Sequence, residues 1–346
     1  MRVIIIGGGI IGAACAYALR DHDLTLLDAG GGATDASFGW IGASFHLDAA
    51  HFRLRAEGIE AWARLCRDLD LPVERCGCLS WEDIDVQALR DLGYSVEEVD
   101  AARFAALEPA IAPAPAAALR FEVEMAADAA VTAQRLAQCA RQIVGVRALA
   151  IETTAGRVTG VATAHGILPA DAVVLAAGTG SALLLQGLGI TLPMLPRPGL
   201  MLQTAPVDVR LNHICVAPDQ ELRQLPDGSL LAPTAASHQS DSNAAITERP
   251  DVLADAACAR IGAMIGRDVQ WTQLMRADRP MPGDERPVIG PVGPDGLHLA
   301  VMHSGVTLAA ITAEIMAAEV TGKGMSNLHT DLVAPYRPSR FQSAIS

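Results

Sequence analysis

Near its N-terminus the chain spaces three glycines and an acid as a bound pyrophosphate would require. Gly7-x-Gly9-x-x-Gly12 stands directly after an apolar run, and Asp28 follows sixteen residues past Gly12. Gly7 allows a tight turn, Gly9 lets a phosphate approach the backbone, and Gly12 lets a helix pack closely on a strand. A helix opening at Ile10 and Ile11 would turn its N-terminal N–H groups toward phosphates. Asp28, with Ala29 after it, would accept from a ribose hydroxyl. The chemistry implied is dinucleotide binding; the alternative is a Gly-rich turn with no ligand. Cys76-Gly-Cys78 is the only close cysteine pair, and no second Cys/His pair completes a zinc site, so no metal is expected.

The elements around these residues have the pattern the chemistry needs. Residues 3–6 are continuously apolar and β-branched, as a strand buried on both faces should be. Residues 11–19 form an Ala-rich helix and 24–27 a second buried strand. The loop that follows is small and hydroxyl-bearing, with Thr34 and Ser37 placed to meet phosphate; read blandly, it is a linker. Residues 52–69 have apolar side chains at helical spacing with Arg and Glu between them. Farther on, helices are expected over 101–107, 134–143, 250–265 and 306–320. Strands are expected over 119–125 and 297–302, and 173–178 is a buried strand running into a Gly-rich turn. Residues 276–293 are rich in Pro and Gly.

Composition limits the partners. With 346 residues the chain is long enough for two domains, and 51% hydrophobic with 19% charged residues suits a well-cored α/β protein. A net charge of −13 argues against nucleic acid or an anionic membrane surface. No apolar run is long enough for a membrane span. The first strand begins at once, so no signal peptide is expected. Seven scattered cysteines read as free thiols, and the location expected is cytoplasmic. Lys323 is the only lysine.

Three separated stretches now resemble one family. They are residues 3–28, residues 171–181 (Asp-Ala-Val-Val-Leu-Ala-Ala-Gly-Thr-Gly-Ser), and residues 279–290 together with 298–307. Pro196-Arg-Pro-Gly199 also sits where relatives carry a Pro-x-Arg-Gly turn. The chain resembles the FAD-dependent amine oxidoreductases that include D-amino-acid oxidase, glycine oxidase, sarcosine oxidase and D-amino-acid dehydrogenase. The resemblance spans the whole chain and specifies no substrate.

It implies an α/β fold with a Rossmann-like FAD-binding domain and a second, β-rich mixed-sheet substrate domain built from insertions. The expected boundaries are 1–75, 128–190 and 279–346 for the first, and 76–127 and 191–278 for the second. Gly7, Gly9, Gly12 and Asp28 would hold the ADP half of FAD, and Thr34 to Ser37 would touch the pyrophosphate and flavin. Ala177 and Gly178 would flank the cofactor. The loop from His303 through Ser304, Gly305, Val306 and Thr307 would lie beside the pyrimidine ring. There the N-terminal end of the last helix would stabilise negative charge on reduced flavin. His303 has a purely structural alternative, and Ser304 a plain helix cap. Arg279 would grip the substrate carboxylate with its planar fork, the alternative being a surface arginine. Trp40 and His46 either line the pocket or are ordinary core and surface residues.

The resemblance implies non-covalent FAD, since 276–290 lacks the cysteine that some relatives use for attachment and His46 and His51 lie past the other attachment loop. The activity implied is oxidation of a C–N bond in an amino acid or N-alkyl amino acid, with hydride passing from the α-carbon to flavin N5 and the imine then hydrolysing. The substrate would be a small amine or amino acid. Lys323 lies beyond the last helix, unlike the oxygen-activating lysine of sarcosine-oxidase-like enzymes, which favours a dehydrogenase. Other readings are a flavin-bearing subunit of a heteromeric amine or imino-acid dehydrogenase with a partner subunit or electron acceptor, an NAD-dependent dehydrogenase, and a catalytically silent scaffold.

Overall fold

The computed structural model describes residues 1–238 and 241–344. Its first sheet is built from β1 (Arg2–Ile6), β2 (Asp23–Asp28), β3 (Arg141–Val144), β4 (Ala172–Leu175), β5 (Val288–Pro291) and β6 (Leu297–Val301). Their spatial order is β5-β6-β4-β1-β2-β3. All neighbours are parallel except β5, which runs against β6. Four helices serve this sheet: α1 (Ile10–Ala18), α2 (Ala49–Asp68), α3 (Ala129–Ala137) and α4 (Gly305–Thr321). Successive side chains of β1 enter different cores. Val3 and Ile5 join the cluster containing α1 and α4, while Ile4 and Ile6 join Ile151, Val158 and Val161 of a three-stranded antiparallel sheet. Burial on both faces is why this strand reads as an unbroken apolar run.

The second sheet has eight strands. Cys78–Ser80, Glu97–Asp100 and Ala117–Phe121 come from one stretch of chain, and five strands between Pro198 and Asp278 come from another. The two groups join through one parallel pair, Ile214–Ala217 beside Cys78–Ser80. A helix at Pro250–Ile265 covers one face, burying Ala254, Ala257 and Ile261 against Leu202, Leu222 and Leu230.

Four expectations need correction. The helix expected over 134–143 is α3 at Ala129–Ala137, capped by Asp128 Oδ1 accepting from Val131 N at 3.0 Å. Residues 141–144 are instead β3, because pairing with β2 outweighs the helical pattern. The strand expected over 119–125 is broken into Ala117–Phe121 and Met125–Ala127. Glu124 lies in the break with its side chain fully buried. The strand Trp271–Asp278, paired along Pro198–Thr204, runs into the start of the Pro/Gly-rich stretch. Helix α2 starts at Ala49 rather than 52 because Asp48 caps it, accepting from His51 N at 2.9 Å.

Candidate active site

The predicted cradle lies at the carboxyl ends of β1, β2 and β4. The order reverses at β1, whose neighbours β2 and β4 lie on opposite sides, which opens a crevice for a dinucleotide. A Cβ on Gly7 would lie 2.3 Å from Ala176 O, one on Gly8 2.6 Å from the Asp28 carboxyl, and one on Gly9 2.9 Å from Thr34 Oγ1. Gly9 precedes α1 and gives it no side-chain cap. Thr34 Oγ1 accepts from Ile10 N at 3.0 Å instead, which brings the hydroxyl loop onto the helix end. Asp28 Oδ1 accepts from Gly30 N at 3.1 Å. Ser37 accepts from Gly39 N at 3.1 Å and shapes the same loop. Ala29 lies exposed between Asp28 and Gly30.

A second helix end meets the first. A Cβ on Gly305, the first residue of α4, would lie 3.6 Å from Ile11. Thr307 Oγ1 donates to Trp40 O at 3.0 Å and accepts from Gly42 N at 3.3 Å. Trp62 Nε1 donates to Val306 O at 2.8 Å, and Gly58 passes so close that a Cβ there would lie 2.7 Å from Thr307 O. Helix α2 therefore fixes where α4 begins. Ser304, just before α4, adopts a left-handed φ of 58° and gives no side-chain cap. This is backbone strain of the kind that gathers at functional sites. Its hydroxyl accepts from Arg55 Nη1 at 2.6 Å and lies 3.3 Å from His303 Nδ1. Burial, with Arg279 and Arg55 nearby, pushes His303 down to about 4, so it is a neutral ring at pH 7.

Sequence spacing alone did not reveal the groups that hold the segment after Trp40. Glu124 Oε2 accepts from Trp40 Nε1 at 2.7 Å; its Oε1 accepts from Ala43 N, Ser44 N and Tyr94 OH at 3.1, 2.9 and 2.8 Å. Arg55 Nε donates to Gly42 O at 2.8 Å. From the second sheet, Arg223 donates to Phe38 O at 2.6 Å and to Ala127 O at 3.1 Å. Trp40 is packed edge-on against Phe45 at 5.3 Å. His46 Nδ1 donates to Ala43 O at 3.2 Å and its ring meets Phe52 at 5.2 Å.

Arg279 is not a surface arginine; 16% of its side chain is accessible. Of its neighbours, Arg276 is exposed and Arg286 pairs with Asp48 at 2.5 Å. Arg279 Nη2 pairs with the buried Asp241 Oδ2 at 2.7 Å, and its Nε donates to Arg197 O at 3.3 Å. Its neighbour Pro280 lies 3.9 Å from where a Gly178 Cβ would stand, so the turn after Ala177 and the Arg279 stretch adjoin. A cleft of about 1100 Å³ lies elsewhere, between the Pro250–Ile265 helix and Trp271, and carries no residue of this site.

Three histidines make the fold sensitive to acid. Burial is the first cause in each case, pushing His51 down to about 3 and His298 and His303 down to about 4. Each folded value lies below the unfolded value of about 6.5. Their stability contribution is therefore complete above about pH 6.5 and is lost as pH falls through the folded values. Each contributes about 1.4 kcal/mol per pH unit in that window. Thermal unfolding from pH 8 to 4 should show a plateau and then a decline, and His298→Gln should make the decline shallower. A melting temperature that rises on acidification below pH 6.5 would overturn this.

A reversing parallel sheet with a glycine cradle and two helix ends defines a dinucleotide-binding α/β protein. Residues 2–319 match the sequence model described as "FAD dependent oxidoreductase", and the chain belongs to that family. It is similar to a D-amino acid dehydrogenase of Methylobacterium nodulans, 26% identical over 415 residues that cover 96% of this chain and 98% of the relative. It is similar to a glycine oxidase of Pseudomonas aeruginosa, 27% identical over 350 residues that cover 93% of this chain and 95% of the relative. The solved structure of an L-proline dehydrogenase from P. horikoshii shares the fold, with a TM-score of 0.84, 19% identity and coverage of 99% and 98%. FAD is thus the cofactor, and the cradle suits it. The glycines leave room that a Cβ would fill, and Ser181 Oγ beyond Gly178 and Ser44 Oγ are buried without a hydrogen-bond partner among the described residues. No helix of the described residues is long and apolar enough to cross a membrane.

Proposed function

We propose that the protein oxidises the C–N bond of an amino acid or N-alkyl amino acid. The observation that carries this is Arg279: a largely buried guanidinium beside the Gly178 turn and close enough to His303 to influence its titration. A planar cation in a partly desolvated site suits a carboxylate. The kinship with amino-acid dehydrogenases and glycine oxidases points the same way.

When bound, FAD supplies the two-electron acceptor chemistry, taking hydride at N5. The chain's residues do the rest. Gly7, Gly9, Gly12 and Asp28 would hold the ADP half without a covalent bond, Thr34 and Ser37 would touch the pyrophosphate and flavin, and Ala177 and Gly178 would flank the cofactor. Arg279 would hold the carboxylate and so orient the substrate. Neutral His303 and the N-terminal end of α4, from Ser304 to Thr307, would lie beside the flavin, and Trp40 and His46 would shape the wall. Lys323 follows Gly322, which caps the far end of α4, ~25 Å from the helix start. A lysine so placed cannot activate oxygen at the ring, which favours a dehydrogenase handing electrons to a separate acceptor.

Asp241 competes for Arg279. Asp241→Asn should therefore lower KM for an anionic substrate several-fold with little change in kcat; an unchanged or higher KM would count against Arg279 as anchor. The reading as a whole is tested by the visible spectrum of the purified protein, followed by anaerobic addition of D-, L- and N-methyl amino acids. Two flavin bands bleached by one class of amine are expected. A colourless protein that takes up no added FAD would sink the reading.

A further inference from the structure

Two opposite charges are sealed on either side of residues 40–44. Glu124 is fully buried and all four of its partners are donors, a set that suits a carboxylate. Burial and Glu124 hold the Tyr94 phenol well above its ordinary value, so it remains a donor. Arg55 is 8% exposed. Burial pulls it down to about 10, against the opposing pull of Glu124, and it stays charged at neutral pH. Its Nε is spent on Gly42 O and its Nη1 on Ser304 Oγ. Ser304 is the residue just before α4, and its hydroxyl, taken by Arg55, gives the helix no cap. A full positive charge therefore stands where the helix carries only a partial one.

A merely structural use explains this arrangement poorly, since buried opposite charges are often no more stabilising than apolar residues of the same volume. We propose that Arg55 reinforces the positive end of α4 to stabilise the reduced flavin, and that Glu124 opposes it, so that the two set the reduction potential in opposite senses. The proposal rests on the flavin lying at the start of α4. In turnover the electron pair comes with hydrogen from the amine's α-carbon; reduction leaves negative charge on the ring, and that charge is what the buried pair acts on.

The test is the midpoint potential of the flavin-loaded protein, measured by anaerobic reduction with a reference dye. Arg55→Gln should favour the oxidised form about tenfold, ~30 mV lower for a two-electron couple. Glu124→Gln, which keeps three of the four hydrogen bonds, should shift the potential by a similar amount upward. Arg55→Lys, which keeps the charge, should stay within threefold of wild type. Loss of a contact alone moves both glutamine variants the same way or neither, and either result overturns the proposal. Should Arg55→Gln lose its flavin, an upward shift in Glu124→Gln is still required, and its absence is decisive. Should both lose it, the double variant Arg55→Met with Glu124→Met must retain flavin at the wild-type potential, and any other outcome overturns the proposal. A wild-type protein without flavin sinks the functional reading, which separates the two failures.

Discussion

Alanine at Gly12 should yield a protein that retains no FAD. The added Cβ would lie 1.9 Å from Gly7 O and 3.2 Å from Ile5 Cγ2. Neither neighbour can yield. Gly7 O belongs to the turn fixed by Gly7 N donating to Leu27 O at 2.8 Å, and Ile5 is inside the sheet. Helix α1 must therefore lift off β1, and its N-terminal N–H groups leave the place where a pyrophosphate would meet them. Overpacking of this kind costs about 1–3 kcal/mol, and more where backbone must move. We expect a flavin-to-protein absorbance ratio near zero and a melting temperature lower by roughly 5 °C or more. Gly178→Ala is the contrast. Its φ of 55° makes alanine strained, but the Cβ would meet only Pro280, at 3.9 Å. That variant should keep its flavin. Equal flavin loss in both would show that the close approach at Gly12 is not what matters.

Replacing Arg279 by leucine should lower kcat/KM for the amino acid that bleaches the flavin by roughly 10²–10³. A desolvated charge pair broken on one side costs about 2–5 kcal/mol. The loss has two parts. The substrate carboxylate loses its anchor, and Asp241, with 3% of its side chain accessible, is left buried without its cation. The second part is a folding cost. Arg279→Leu combined with Asp241→Asn removes it, and should recover melting temperature without recovering activity. Flavin absorbance should be normal in the double variant. If the double variant regains activity, Arg279 serves the fold and the anchor lies elsewhere.

The cradle was legible because it is local. Gly7, Gly9, Gly12 and Asp28 lie in one strand-turn-helix-strand unit whose backbone needs glycine at fixed places, and that need is visible in one dimension. The fold class followed from buried strands alternating with helices. What could not be seen depends on distant pairing. Arg55 reads as the polar side of an amphipathic helix, and Glu124 as the end of a strand. They come to grip the same segment, residues 40–44, only once α2 has packed on α4 and the chain has left the second sheet after Phe121. Asp241 gave no signal at all, for an acid in a polar loop is ordinary until a guanidinium is found 2.7 Å away. The misread 134–143 stretch failed for the reverse reason: its helical spacing is real up to Ala137, and then pairing with β2 wins.

The interleaving of the two sheets governs how the molecule comes into being. Cys78 waits for Ile214 before its strand has its parallel neighbour, and β4 waits for β6, which ends at Val301. At about 5–20 residues per second, ribosomal synthesis reaches that strand on the order of 15–60 s after it begins. Until then both sheets present open edges, which are templates for pairing with other chains. Contacts this far apart in sequence also make closure slow. The core of the cradle is different, since β1, α1 and β2, which carry its glycines and Asp28, lie within the first 28 residues. The newborn chain thus holds the glycine turn of the cradle long before it owns the helix end that would face the ring, and expression yield should depend on chaperone capacity more than on flavin supply during elongation.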